Sequence, residues 1–145
     1  MSARGITTRT KRFELIEHTA DTGLRAYGPQ LPDAFANAAY GLFSIMTDLR
    51  RVRQRRTREV AVEGHDIEEL LFNWMNELIY LFDVDHLLLK RFDMVEFNSK
   101  ALRARCRGEG YDPLRHQLQT EVKSATYHML QVDGQNNTVQ VIFDI

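Results

Sequence analysis

Apolar positions along the chain fall into runs with a period near two and runs with a period near 3.6, and their order predicts an α+β fold. Phe13-Glu14-Leu15-Ile16 and Leu24-Arg25-Ala26-Tyr27 read as short strands, a hairpin or crossed pair, with Gly28-Pro29 breaking the second. Leu31-Pro32-Asp33 then opens a helix. Pro32 sits in the first turn, where its missing N–H costs nothing, and Asp33 faces the positive end of the dipole. Ala34, Phe35, Ala38, Ala39, Leu42, Phe43, Ile45 and Met46 give this helix a broad apolar face up to Thr47-Asp48.

A second helix starts at Asp66 as N-cap, with Glu69 at the capping-box position. Leu70, Leu71, Trp74, Met75, Leu78, Ile79, Leu81 and Phe82 share one face, which makes Trp74 a packing anchor. The period is two at 59–63, 87–97, 101–107, 121–130 and 139–143, with 108–113 and 131–137 as turns. Residues 114–119 read as a short turn or helix that leaves His116 on the surface. The expectation is a single compact domain over 12–145, two buried helices on mostly antiparallel β-sheet, behind a flexible tail at 1–11.

Composition narrows the class without naming a function. The 145 residues suffice for one domain, and a net charge of −1 supplies no global field for nucleic acid or membrane. The one cysteine, Cys106, reads as a small buried strand residue and fits a reducing compartment. The N-terminal stretch lacks the apolar core of a signal peptide, no run approaches membrane-spanning length, and a cytoplasmic protein is expected. A final strand at a sheet edge would suit a monomer or weak homo-oligomer.

Chemistry concentrates at the corner between the first two strands. Glu17-His18-Thr19-Ala20-Asp21-Thr22-Gly23 crowds two acids, an imidazole, a hydroxyl and a hinge glycine together. A carboxylate there can bind a divalent cation, accept a proton or cap backbone amides, and local sequence does not choose. Asp48 and Asp144, at element ends, are the acids best placed to converge on it. If Ile145 is the true terminus, its α-carboxylate lies beside Asp144, and two such anions call for a cation or donors. Lys123, Thr126 and His128 are groups suited to anion or backbone recognition. Asp83, Asp85 and His86 read as a solvated helix end, and the arginines of 50–58 as a solvated loop without interleaved aromatic residues.

From Phe13 to Ile145 the chain resembles the archease family. The resemblance rests on His18-Thr19-Ala20-Asp21-Thr22-Gly23, Met46-Thr47-Asp48, the helix Leu70 to Asp83, Glu121-Val122-Lys123-Ser124-Ala125-Thr126-Tyr127-His128, and Phe143-Asp144-Ile145. Glu17, where Asp is common, Ser124, where a small apolar residue is usual, and the heavy arginine run depart from the pattern. The likeness implies a non-catalytic activator of the GTP- and manganese-dependent RtcB-type RNA ligase in tRNA splicing and RNA repair, which contacts RNA only through the ligase. It would promote guanylylation and repeated turnover of that enzyme.

The family's metal-binding acids fall on Asp21, Asp48 and Asp144, and the Ile145 carboxylate adds a fourth oxygen for Ca²⁺, Mg²⁺ or Mn²⁺. His18 would orient the corner or ligate, and Lys123, Thr126 and His128 would face the ligase or its nucleotide, or the lysine would neutralise the acids. Two other classes compete: a metal-dependent phosphoester hydrolase with His18 as base, and an RNA-binding or chaperone module working through the arginine run.

Overall fold

The computed structural model describes residues 11–17 and 21–145. The tail expected at 1–11, apart from Lys11, lies outside the described residues, as do His18, Thr19 and Ala20. In chain order the described elements are β1 (Phe13–Glu17), β2 (Asp21–Tyr27), α1 (Leu31–Met46), a 3₁₀ turn (Leu49–Arg51), β3 (Arg56–Glu63), α2 (Ile67–Asp85), β4 (Leu87–Phe97), β5 (Ala101–Gly110), β6 (Ser124–Asp133) and β7 (Thr138–Asp144).

Pairing is antiparallel throughout, in a four-stranded sheet of order β1-β2-β7-β6 and a three-stranded sheet of order β3-β5-β4. Each helix packs against strands of both sheets, α1 on β2 and β4, α2 on β6 and β3, so the helices join two sheets around one core. The helix starts follow the sequence. Asp33 Oδ2 accepts from the Gln30 N–H at 3.0 Å, and Asp66 Oδ1 accepts from the Glu69 N–H at 2.8 Å. The Glu69 carboxylate reaches one residue further back than a capping box requires, to the His65 N–H at 2.7 Å.

Trp74 is the packing anchor its position on α2 suggests. It is fully buried, stands edge-on to Phe92, and donates from Nε1 to the Phe35 carbonyl at 3.0 Å, which ties α2 to α1. Cys106 is buried in β5, and burial pushes its thiol up to about 12, as befits an inert strand residue.

Several boundaries differ from the sequence reading, each for a reason of pairing. β3 begins at Arg56, opposite Gly108, so the last arginines of the run belong to a strand whose ladder ignores side-chain polarity. β5 continues through Gly108 and Gly110, read as loop. A Cβ at 108 would collide with the Leu88 carbonyl, so that glycine marks close strand approach. β6 starts at Ser124 and runs to Asp133, with a register shift between Thr126 and Gln131 where Met129 takes a φ of 55°. The last strand, expected at an edge, is flanked by β2 and β6, which satisfy its backbone on both sides and remove the argument for edge-to-edge dimers.

His116, expected on the surface, is buried. Its Nδ1 accepts from the Asp112 N–H at 2.9 Å and its Nε2 lies 2.9 Å from Glu109 Oε2. With Nδ1 an acceptor, Nε2 carries the proton and donates to Glu109. A single imidazole with two fixed partners cannot be seen in a chain that shows only loop composition.

Gly23, read as a hinge, lies inside β2 and pairs with both Ile16 and Ile142. A Cβ there would strike the Ile142 side chain and come within 2.9 Å of the Val141 carbonyl, so β2 and β7 approach closely only because this residue has none. Gly23→Ala is therefore expected to cost about 1–3 kcal/mol by overpacking, read as a lower denaturant midpoint; an unchanged midpoint would show that the strands have room.

Candidate acidic site and its neighbours

The β2–β7 register decides the geometry of the corner. Its final pair is Asp21 with Asp144, which places two carboxylates directly across the ladder. Side chains so opposed have Cβ atoms about 4.5–5.5 Å apart, and like charges there are destabilising. On the other side of β7, Asp144 is the register partner of Ser124, whose hydroxyl donates to Asp144 Oδ2 at 3.3 Å. The Lys123 N–H donates to the Asp144 carbonyl at 2.8 Å, and the Lys123 side chain is exposed beside the pair. Among the described residues no cation forms an ion pair with Asp21 or Asp144.

The other expected residues are placed differently. Thr126 donates its hydroxyl to the Ile142 carbonyl at 3.0 Å, a bond within the sheet. His128 is exposed in the irregular stretch of β6, and Ile145 follows Asp144 at the surface. Asp83, at the exposed end of α2, lines an apolar pocket with Met46, Phe82 and Leu118, while Asp85 pairs with Arg58 at 2.9 Å. Residues 83–86 are all exposed, as the reading of a solvated helix end expects.

Asp48 caps the 3₁₀ turn that follows α1. Its Oδ1 accepts from the N–H and Nε of Arg50, each at 3.0 Å, and its Oδ2 from Arg50 Nη2 at 2.9 Å. The Arg50 side-chain bond, with its backbone N–H, holds the Asp48 carboxyl at about 2. The arginine is almost wholly exposed, and solvent screens an ion pair of that kind. Asp48 opens into a shallow pocket with Tyr40, Ser44, Thr47 and Gln119. Gln119 is only four residues before Lys123, roughly 14 Å of extended chain at most.

Two of the three predicted acids are thus opposed on neighbouring strands and the third is bound to arginine. Among the described residues no three His, Cys, Asp or Glu side chains stand close enough together to hold a metal ion. The donors are all oxygens, which suits a hard cation. Asp21 and Asp144 offer such oxygens side by side, while those of Asp48 are taken up by Arg50.

Sequence reasoning missed the structure that supports this segment. Glu109 is 4% exposed, yet it accepts from Arg115 Nη2 at 2.6 Å, from the Arg53 N–H at 2.8 Å and from His116. Burial alone would raise its carboxyl, but those donors outweigh it and hold the group at about 2. The cluster pins residues 109–116, from which the chain returns to α1. There Thr47 bridges to Leu118, its hydroxyl donates to the Gln117 carbonyl at 2.8 Å, and the Gln119 N–H donates to the Met46 carbonyl at 2.8 Å. The only sequence signal was an acid between two glycines at the end of an otherwise arginine-bearing strand.

The archease protein family (MTH1598/TM1083) matches residues 13–145. The chain belongs to the archease family. It is 38% identical to a protein archease of Sulfurisphaera tokodaii over 88% of this chain and 92% of that protein. It is 40% identical to a protein archease of Pyrococcus abyssi over 85% and 89%. Among solved archease-type structures, protein 1598 of Methanobacterium thermoautotrophicum superimposes with a TM-score of 0.76 at 31% identity, covering 94% of this chain and 100% of that one. A Thermotoga maritima archease, a "possible chaperone", matches at 0.50 and 21% identity, covering 97% and 100%, and shows the shared fold alone.

Two measurements test this archease site. In a carboxyl NMR titration Asp48 should titrate near 2 and return toward the ordinary 3.8 in Arg50→Ala; an Asp48 midpoint unmoved by the substitution would disprove the assignment of its partner. Glu109→Gln should cost roughly 3–5 kcal/mol by leaving buried donors facing an amide, about 10 °C in melting temperature. Because the folded Glu109 carboxyl lies below its ordinary 4.5, its contribution is full above that pH and fades as pH falls toward about 2. The gap between wild type and variant should narrow over that window, and a pH-independent gap would rule out the linkage.

Proposed function

We propose that this archease-family protein activates an RtcB-type RNA ligase, promoting guanylylation and repeated turnover in tRNA splicing and RNA repair. The observation that carries the reading is the opposition of Asp21 and Asp144 at the end of the β2–β7 ladder, in a chain that belongs to this family along nearly its whole length. The partner is the ligase, and the working compartment is the cytoplasm. Among the described residues no helix is long and apolar enough to cross a membrane.

Asp21 and Asp144 would hold a Ca²⁺, Mg²⁺ or Mn²⁺ ion, with the Ser124 hydroxyl beside them and Asp48 available after release of Arg50. Such an ion would supply charge neutralisation and an ordered oxygen cluster at the contact with the ligase. Lys123, exposed next to Asp144, gives the same face a cation for nucleotide or ligase carboxylates, and His128 extends that face.

Catalysis is assigned to the ligase, and three candidate nucleophiles or bases among the described residues are otherwise engaged. The Cys106 thiol is buried and pushed up to about 12, His116 is held by Glu109, and His65 lies against Glu69 at 2.8 Å.

Single-turnover guanylylation of the cognate ligase, in manganese and GTP, should accelerate with equimolar protein. Asp21→Ala and Asp144→Ala should each remove most of that acceleration while circular dichroism stays unchanged. Acceleration that survives both substitutions would separate activation from the acid pair, and none with wild type would overturn the reading.

A further inference from the structure

A second charged surface lies beside the acidic site and has no part in it. Arg12, Asn37, Tyr40, Gln54, Lys90 and Arg91 line a groove of about 480 Å³ between α1, β4 and the segment before β3. Tyr40 also walls the Asp48 pocket, so the two sites share one side chain. The Arg12 guanidinium lies over the Tyr40 ring, 4.5 Å from its centroid, a cation–π contact at the groove wall. Lys90 donates to the Val52 carbonyl at 2.9 Å, which holds its ammonium at the groove next to the arginine-rich segment.

The charges do not cancel locally. Asp93, also in the groove, is bonded to Arg91 at 3.2 Å. Arg58 is matched by Asp85, and Arg103 and Arg105 by Glu59. Arg12 and Lys90, with Arg53 and Arg55 on either side of Gln54, have no carboxylate partner among the described residues. A chain of net charge −1 therefore carries a concentrated positive strip.

We propose that this groove binds single-stranded nucleic acid, a phosphate on Lys90 and a base on the Arg12–Tyr40 contact, with Arg53 and Arg55 exposed beside the groove to meet the strand where it leaves. An acidic peptide would satisfy the cations but offer nothing planar to that contact, whereas guanidinium and aromatic planes are the surfaces on which unpaired bases lie. The arginine run lacks aromatic residues in sequence; the fold supplies one from α1. The proposal rests on the groove alone and is independent of the ligase reading.

Fluorescence anisotropy of a labelled, unstructured 12-nucleotide oligouridylate RNA with the full chain tests it. Each phosphate contact predicts about 2.6-fold weaker binding between 50 and 200 mM salt, and the log–log salt slope should become shallower by about 0.7 for each cation removed. Arg12→Ala and Lys90→Gln should each weaken binding and flatten the slope, while Arg103→Ala, on a paired arginine, should not. If Lys90→Gln disturbs folding, Arg12→Ala, whose side chain only overlies Tyr40, carries the test. No binding at 50 mM salt, groove variants that bind like wild type, or polyglutamate competing as well as RNA at equal charge would each overturn the proposal, the last in favour of an acidic protein partner.

Discussion

The structure depends on how closely β2 and β7 can approach. Gly23 removes the one Cβ that would keep them apart, and the ladder then runs in register from Tyr27 opposite Thr138 to Asp21 opposite Asp144. Because side chains alternate faces, a slip of β2 by one residue would send Asp21 to the other side of the sheet and the apolar Leu24 away from the core. The same register therefore fixes the core and the site, and neither can be altered without the other. Like charges opposed on a ladder cost energy, and a fold that keeps them has a use for the local field.

Elements with strong period were legible in the sequence. The apolar faces of α1 and α2, the Asp66 cap and the role of Trp74 follow from spacing alone, because a helix declares its buried side within a few turns. The acids of the corner were legible too, through their crowding at strand ends. What did not show was pairing over long distance. Nothing local says that β7 lies inside the sheet, that the glycines at 108 and 110 continue a strand, or that His116 finds Glu109. Backbone ladders accept polar and glycine residues as readily as apolar ones when the partner strand is present, so composition misplaced the ends of β3, β5 and β6.

The placement of Asp48 had a similar cause. Sequence position put it at the end of α1, which is correct, but its nearest cation is two residues away and bound through a turn that composition does not specify. Arg50 belongs to a run read as a solvated loop, yet it is one of the few arginines there with a carboxylate partner. The arginine run is in fact divided in use: Arg50 neutralises an acid, Arg56 and Arg58 enter a strand, and Arg53 and Arg55 remain unpaired among the described residues beside the basic groove.

That division bears on how the two charged regions coexist. Tyr40 stands between the Asp48 pocket and the groove, with Arg50 closing one and Arg12 covering the ring in the other. An exposed ion pair contributes little to stability, and solvent screens the one between Arg50 and Asp48. Arg50 thus spends its charge on Asp48, whereas Arg12 has no carboxylate partner among the described residues, so the two pockets that share the Tyr40 ring differ in whether their cation is matched.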